Sequence, residues 1–124
     1  MLRVLIIEDD RRYRASLLTM IAHAPGLEVA GCYGGLDRAE EALGGSAADV
    51  AIVHAAVAPD LRARLRRLGA RTGQIPIVVT HLSDDPATVF QARAAGADGY
   101  LPRSASRAEI LAVLRGLGVW EGVT

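Results

Sequence analysis

The sequence predicts an α/β domain: a parallel sheet with helices on both faces. Three observations carry this. Five short apolar runs alternate with five stretches of helical spacing along 124 residues. The apolar runs are nearly continuous rather than alternating with polar residues, which suits strands covered on both sides. The connections are a few residues each, and the chain shows no linker, repeat or low-complexity segment. Parallel strands then follow, with right-handed crossovers, in one domain over 1–124.

The elements come in order. "RVLIIE" (3–8) is a β-branched run and reads as the first strand. In "DDRRYRASLLTMIAHAPG", Tyr13, Leu17, Met20, Ile21 and Ala24 recur at helical spacing, and Pro25-Gly26 stops the helix. "LEVAGC" (27–32) is the second strand. "LDRAEEALGG" is a short helix with Asp37 as N-cap and Gly44-Gly45 at its end. "DVAIVH" is the third strand, and "PDLRARLRRLGA" a helix with Leu61, Leu65 and Leu68 inward. "IPIVVT" (75–80) is the fourth strand. "SDDPATVFQARAAG" opens a helix with Ser83 as cap and Pro86 just inside, and closes it on Gly96. "DGYL" (98–101) is the fifth strand. "SRAEILAVLRGLG" carries a capping box, Ser106 with Glu109, ahead of Ile110, Leu111, Leu114 and Leu117.

Composition narrows the function. Formal net charge is zero, with 14 acids against 14 bases, all of them arginine. This argues against a nucleic-acid or membrane surface on the domain. The single cysteine, Cys32, has no partner within the chain, and it reads as a small apolar residue in a reducing, cytoplasmic setting. Met1 leads straight into a strand with no signal peptide, and no apolar run approaches the roughly 20 residues of a membrane span.

In an open parallel sheet, ligands bind beyond the carboxyl ends of the strands. Those ends carry Glu8, Asp9 and Asp10 on the first strand, His54 on the third, Thr80 and His81 on the fourth, and Tyr100 to Arg103 on the fifth. Acids, imidazole, hydroxyl and guanidinium are thus expected on one edge.

These pieces carry a resemblance. "VLIIEDD", "ADVAIVH", "PIVVTHLSDD" and "AGADGYLPRSAS" together resemble the receiver (CheY-like) domain of two-component response regulators over nearly the whole chain. The last piece resembles the NarL/LuxR-type subgroup, whose members carry a helix-turn-helix output domain. The resemblance implies a flavodoxin-like (βα)5 three-layer α/β/α sandwich with sheet order 2-1-3-4-5. It also implies a site: an aspartate ending the third strand takes a phosphoryl group from a histidine kinase, and two acids after the first strand help hold Mg²⁺. A Thr or Ser ending the fourth strand and a Lys after the fifth contact the phosphoryl oxygens. Such transfer needs a carboxylate nucleophile, a hard cation and a fixed positive charge.

Carried over by position, Glu8 and Asp9 match the acid pair, Thr80 the switch hydroxyl and Tyr100 the switch aromatic. His54 stands where the acceptor aspartate belongs, and Arg103 where the lysine belongs. His81 sits on the pocket rim where a small residue is usual, and Ser104 follows Arg103 where many relatives have proline. An imidazole cannot form an acyl phosphate and offers no hard oxygen, so His54 marks a degenerate acceptor position. No cofactor is expected, apart from weak Mg²⁺ on Glu8 and Asp9. Two readings of the bases stand side by side: Arg103, always cationic, and His54 stand in part for metal and phosphoryl group, or Arg103 reflects composition and His54 is a neutral polar plug.

The expected function is an atypical receiver, not an enzyme, that signals through a protein partner or its own output domain. Nucleic acid would be reached only through such an output domain. A homodimer through helix 4, strand 5 and helix 5 is expected by resemblance, with Ala94, Ala95, Leu111 and Trp120 near that face. Two alternatives stand beside it. One is phosphorylation on a displaced acid (Asp10, Asp49 or Asp60); the other is a small-ligand sensor in the emptied pocket. A transition-metal site built from His54, His81 and Asp9 is a further reading. His23, before Pro25, reads as surface.

Overall fold

A computed structural model of the protein describes residues 1–42, 48–56, 58–81, 83 and 85–123, with side chains as far as 117. Five strands form one parallel sheet in the order β2-β1-β3-β4-β5. They are β1 (Leu2–Ile7), β2 (Leu27–Tyr33), β3 (Val50–His54), β4 (Ile77–His81) and β5 (Gly99–Pro102). The helices are α1 (Arg11–His23), α2 (Leu36–Ala42), α3 (Leu61–Thr72), α4 (Pro86–Ala94) and α5 (Arg107–Val123). This is the flavodoxin-like three-layer sandwich that the sequence predicts.

The layers follow from strand parity. Successive side chains on a strand point to opposite faces. Leu5, Ile7, Ala51, Val53, Ile77 and Val79 point to one face, where they pack with α2, α3 and α4 through Leu36, Ala39, Leu61, Leu65, Leu68 and Ala92. Val4, Ile6, Val50, Ile52, Val78 and Leu101 point to the other, against Leu17 and Ile21 of α1 and Ile110, Leu111 and Leu114 of α5. Both faces are apolar because both are covered, and each large buried side chain contributes roughly 1.5–3 kcal/mol of transfer free energy.

Several boundaries differ from the sequence reading. β4 starts at Ile77, not at residue 75, because Pro76 has no N–H for the ladder; its carbonyl accepts from Ala51 instead, at 3.0 Å. Asp37 is not an N-cap: α2 begins one residue earlier, with the Gly35 carbonyl accepting from Ala39 N–H. The cap of α4 is Asp85, whose Oδ1 accepts from Ala87 N–H, with Pro86 at the first helical position. Ser83 supports that cap, its Oγ accepting from Asp85 N–H. The capping box of α5 is reciprocal, each of Ser106 and Glu109 bonding the other's backbone N–H at 3.1 Å. Gly44-Gly45 lies outside the described residues. Among the described residues, no helix is long and apolar enough to cross a membrane.

Candidate functional site

The same parity that sorts the core also assembles the site. Extending each strand past its last apolar residue places Glu8, His54, Thr80 and Arg103 on the face of Val4, Ile6, Ile52, Val78 and Leu101. His54 and Thr80 are register partners across β3 and β4. Glu8, His54 and Arg103 meet at the carboxyl edge of the sheet, with Thr80 beside His54 in register, above the core layer shared with α1 and α5.

Glu8 is the centre. It is 1% exposed, a carboxylate at the roof of an apolar layer. Its Oε2 accepts from Arg103 Nη2 at 2.7 Å and from the backbone N–H of Asp10 at 2.8 Å. Arg14 donates from Nη1 to the Glu8 carbonyl at 2.9 Å, tying the loop to α1. A buried charge is tolerated only when paired and hydrogen-bonded, and Arg103 supplies the pairing.

Arg103 is held in turn. Its guanidinium lies 4.8 Å from the ring centroid of Tyr13. Its Nη1 reaches Asp10 Oδ2 at 3.4 Å, and its backbone N–H donates to the His81 carbonyl. The guanidinium therefore bridges Glu8 and Asp10 rather than the acid pair Glu8 and Asp9. Partial burial works against its charge, but the hydrogen bond and charge of Glu8, with Asp10 and Asp9 behind, outweigh it and hold its pKa above the ordinary value. Asp10 is the N-cap of α1, accepting from Tyr13 N–H. That bond, with Arg103, keeps its carboxyl below the usual range. Burial, with the charge of Glu8, raises the Tyr13 hydroxyl. The roles of Asp10 and Tyr13 in holding Arg103 were missed in the sequence. The N-cap spacing of Asp10 was the one available signal for them.

His54 stands between the two acids. Its Nδ1 is 3.9 Å from Glu8 Oε1 and its Nε2 3.8 Å from Asp9 Oδ1. Glu8 Oε1, His54 Nδ1, Thr80 Oγ1 and His81 Nδ1 are all buried with no hydrogen-bond partner among the described residues. The His54 and His81 ring centroids are 5.9 Å apart. His81 belongs by parity to the opposite face from Thr80, as adjacent strand residues must. Tyr100 turns toward the start of α4, its hydroxyl donating to the Ser83 carbonyl.

The other candidates lie elsewhere. Asp49 is at the amino end of β3, where it accepts from Arg3 N–H. Asp60 is exposed at the start of α3, with no side-chain cap bond. His23 is exposed on α1. Cys32 is half-buried, and burial raises its thiol pKa, which suits a packing role.

The pocket fits Mg²⁺ poorly. That ion wants near-octahedral oxygen ligands. Here one of three converging groups is a nitrogen ligand, and a guanidinium already occupies one oxygen of Glu8.

No protein-family model matches the chain, and no curated protein matches it in sequence. Solved structures do match it, at low identity. A CheY-like response regulator receiver domain protein from Methanospirillum hungatei JF-1 superposes with a TM-score of 0.79 at 15% identity, covering 98% of this chain and 97% of that one. A LuxR family DNA-binding response regulator from Silicibacter pomeroyi gives 0.75 at 22% identity, with 98% and 92% covered. A response regulator from Burkholderia pseudomallei, solved with a phosphorylated aspartic acid, a calcium ion and citrate, gives 0.74 at 23% identity, with 99% and 72% covered. The fold is thus the one found in receiver domains of response regulators.

Proposed function

We propose that the chain is a receiver-type signalling module that has lost its phosphoacceptor and transmits its state through protein contacts. One observation carries the reading. The side chain ending β3 beside the acid pair is His54, and an imidazole there cannot become an acyl phosphate. The fold, the buried Glu8, the buried Thr80 and the cation at position 103 support a receiver ancestry. Arg103 on Glu8 Oε2 supplies from within the chain a positive charge that an activated receiver takes from its metal.

A displaced acid is a weaker reading. Asp10 is engaged by Tyr13 N–H and Arg103, Asp49 is at the far end of the sheet, and Asp60 is outside the pocket. Protein contact is assigned to the face of α4, β5 and α5, where the module meets a second copy, a partner or an output domain of its own. Phe90 on α4 is 73% exposed, with exposed Ala94 one turn on. Leu111 is buried in the core and so is not a contact on that face; the Trp120 side chain lies outside the described residues. The module is read as cytoplasmic and non-enzymatic, with nucleic acid reached only through an output domain.

The test is labelling with acetyl phosphate and Mg²⁺, read by mass spectrometry. The native chain is expected to carry no modified carboxylate. The double variant His54→Asp, Arg103→Lys is expected to gain one, at position 54. A phosphorylated Asp or Glu in the native chain overturns the reading.

A further inference from the structure

We propose that the cleft between α3 and the end of α4 docks an extended acidic segment of a partner protein, with two carboxylates spaced to meet Arg62 and Arg66. The inference rests on the reading that the module signals through protein contacts, and it adds a surface distinct from the face of α4, β5 and α5. Its test reads peptide binding rather than phosphorylation, so each fails separately.

Charge on α3 is unbalanced. The helix carries Arg62, Arg64, Arg66, Arg67 and Arg71 and no acid. Toward α2 the imbalance is answered. Arg67 Nε pairs with Glu40 Oε1 at 3.1 Å, and Arg71 donates to the Glu40 carbonyl. Toward α4 it is not. Arg62 and Arg66 are exposed and have no ion-pair or hydrogen-bond partner among the described residues. Four residues apart on a helix, they are neighbours and repel. The stability of the chain alone gives no account of that pair.

The same two guanidiniums line a cleft of about 300 Å³. Leu65 and Ile77, both buried, give it an apolar wall. Small residues open it: Gly69 on α3, with Ala95 and Gly96 facing it after α4. Gln74 lines it as well, at φ +63°, and is the one non-glycine residue in the left-handed region among the described residues. That conformation is costly for an L-residue. The Gln74 N–H donates to the Gly69 carbonyl at 2.8 Å. Its side chain lies over Gly69, where an added Cβ would stand 2.8 Å from Gln74 Oε1. Backbone strain is thus spent on holding a polar amide in the cleft.

The lining selects the occupant. Arg62 and Arg66 are four residues apart at about 1.5 Å each, roughly 6 Å along α3. In an extended chain, alternate side chains share one face and fall about 6.7 Å apart. An acid–apolar–acid triplet therefore brings a carboxylate to each guanidinium. Its middle side chain turns the other way, toward the small residues across the cleft. Asp98 also lines the cleft, its Oδ2 accepting from the Ile77 N–H. Its charge works against a compact anion such as phosphate, yet it accepts from a main-chain N–H. Donors on α3 and an acceptor across from them match a peptide, which offers both kinds of group.

The test is fluorescence anisotropy at low salt, using a labelled, capped peptide with a Glu-Leu-Glu core and its Gln-Leu-Gln counterpart. The acidic peptide is expected to bind, and to weaken as salt rises. The counterpart is expected to bind about 10-fold more weakly, the equivalent of two exposed charge pairs. Arg62→Gln with Arg66→Gln is expected to lose about the same 10-fold. Both residues are exposed, so that variant keeps its fold. Arg67→Gln with Arg71→Gln removes equal charge from the α2 side and is expected to bind as the native chain does. Gly69→Ala, which displaces Gln74, is expected to bind more weakly with its Tm unchanged or raised. In amide NMR of the native chain, the peptide should shift Gly69, Gln74 and Gly96 and leave Phe90 in place. Absence of binding, equal losses in the two arginine pairs, succinate competing as well as the peptide, or shifts at Phe90 instead overturns the site.

Discussion

The two ends of the sheet use acids in opposite ways. At the amino end, two aspartates close on backbone. Asp49 N–H donates to the Arg3 carbonyl at 2.8 Å, and Asp49 Oδ2 accepts from Arg3 N–H at 2.7 Å. Asp98 repeats this pattern on Ile77, at 2.8 Å in both directions. Each aspartate is a staple that sets where a strand starts. At the carboxyl end, Glu8 is buried, paired with one guanidinium, and left with an oxygen facing an imidazole. The lesson is that a strand-end carboxylate is structural when backbone N–H groups satisfy it. It is a candidate for chemistry when, as in Glu8, one oxygen takes both a backbone N–H and a guanidinium while the other is buried with neither.

Three variants break or sharpen that contrast. The largest effect is expected from Arg103→Gln, which leaves Glu8 buried without its counter-charge. Breaking a buried pair costs about 3–5 kcal/mol. Solvent around Arg103 reduces this, so a loss of about 2–3 kcal/mol is expected in urea unfolding. A double variant with Glu8→Gln should lose less than the sum of the two single changes. If Arg103→Gln is neutral, the charged end is no more strained than the stapled one.

Next is Asp98→Ala, which removes one staple bond and should cost about 1–2 kcal/mol in the same measurement. Amide exchange at Ile77 should quicken, with the pocket residues unaffected. A change at His54 instead would show that the two ends are coupled.

The smallest effect concerns the capping box of α5. Bonds from Ser106 lower the Glu109 pKa from its ordinary 4.5. A lowered folded pKa means the stability it adds is present above the ordinary value and is lost as pH falls through the folded one. Native and Glu109→Ala chains should therefore differ slightly in Tm at neutral pH and converge in acid. A gap that persists at low pH would assign the effect to packing.

Much of the architecture was legible because its signals are local. The runs VLII, VAIV and IVV are too apolar for a one-sided strand, and Ser106 with Glu109 marks a helix start wherever it falls. What failed was local competition between similar groups. Ser83 and Asp85 both qualify as caps, and only the backbone path decided for Asp85. Leu111, apolar and on an amphipathic helix, had no signal to tell a core position from a contact face.

For the site, the sequence by itself determined which chemistry is available: carboxylates after β1, an imidazole ending β3 and a guanidinium after β5. Those are properties of atoms, fixed by residue identity. Only the tertiary structure decided how the groups are spent. Arg103 spans Glu8 and Asp10 across 95 and 93 residues of chain, Tyr13 lies against it, and one oxygen of Glu8 is left facing His54. Pairing between groups so distant in sequence is set by strand order and parity. No local pattern encodes it, because the energy of each contact exists only once the sheet has brought the strand ends together.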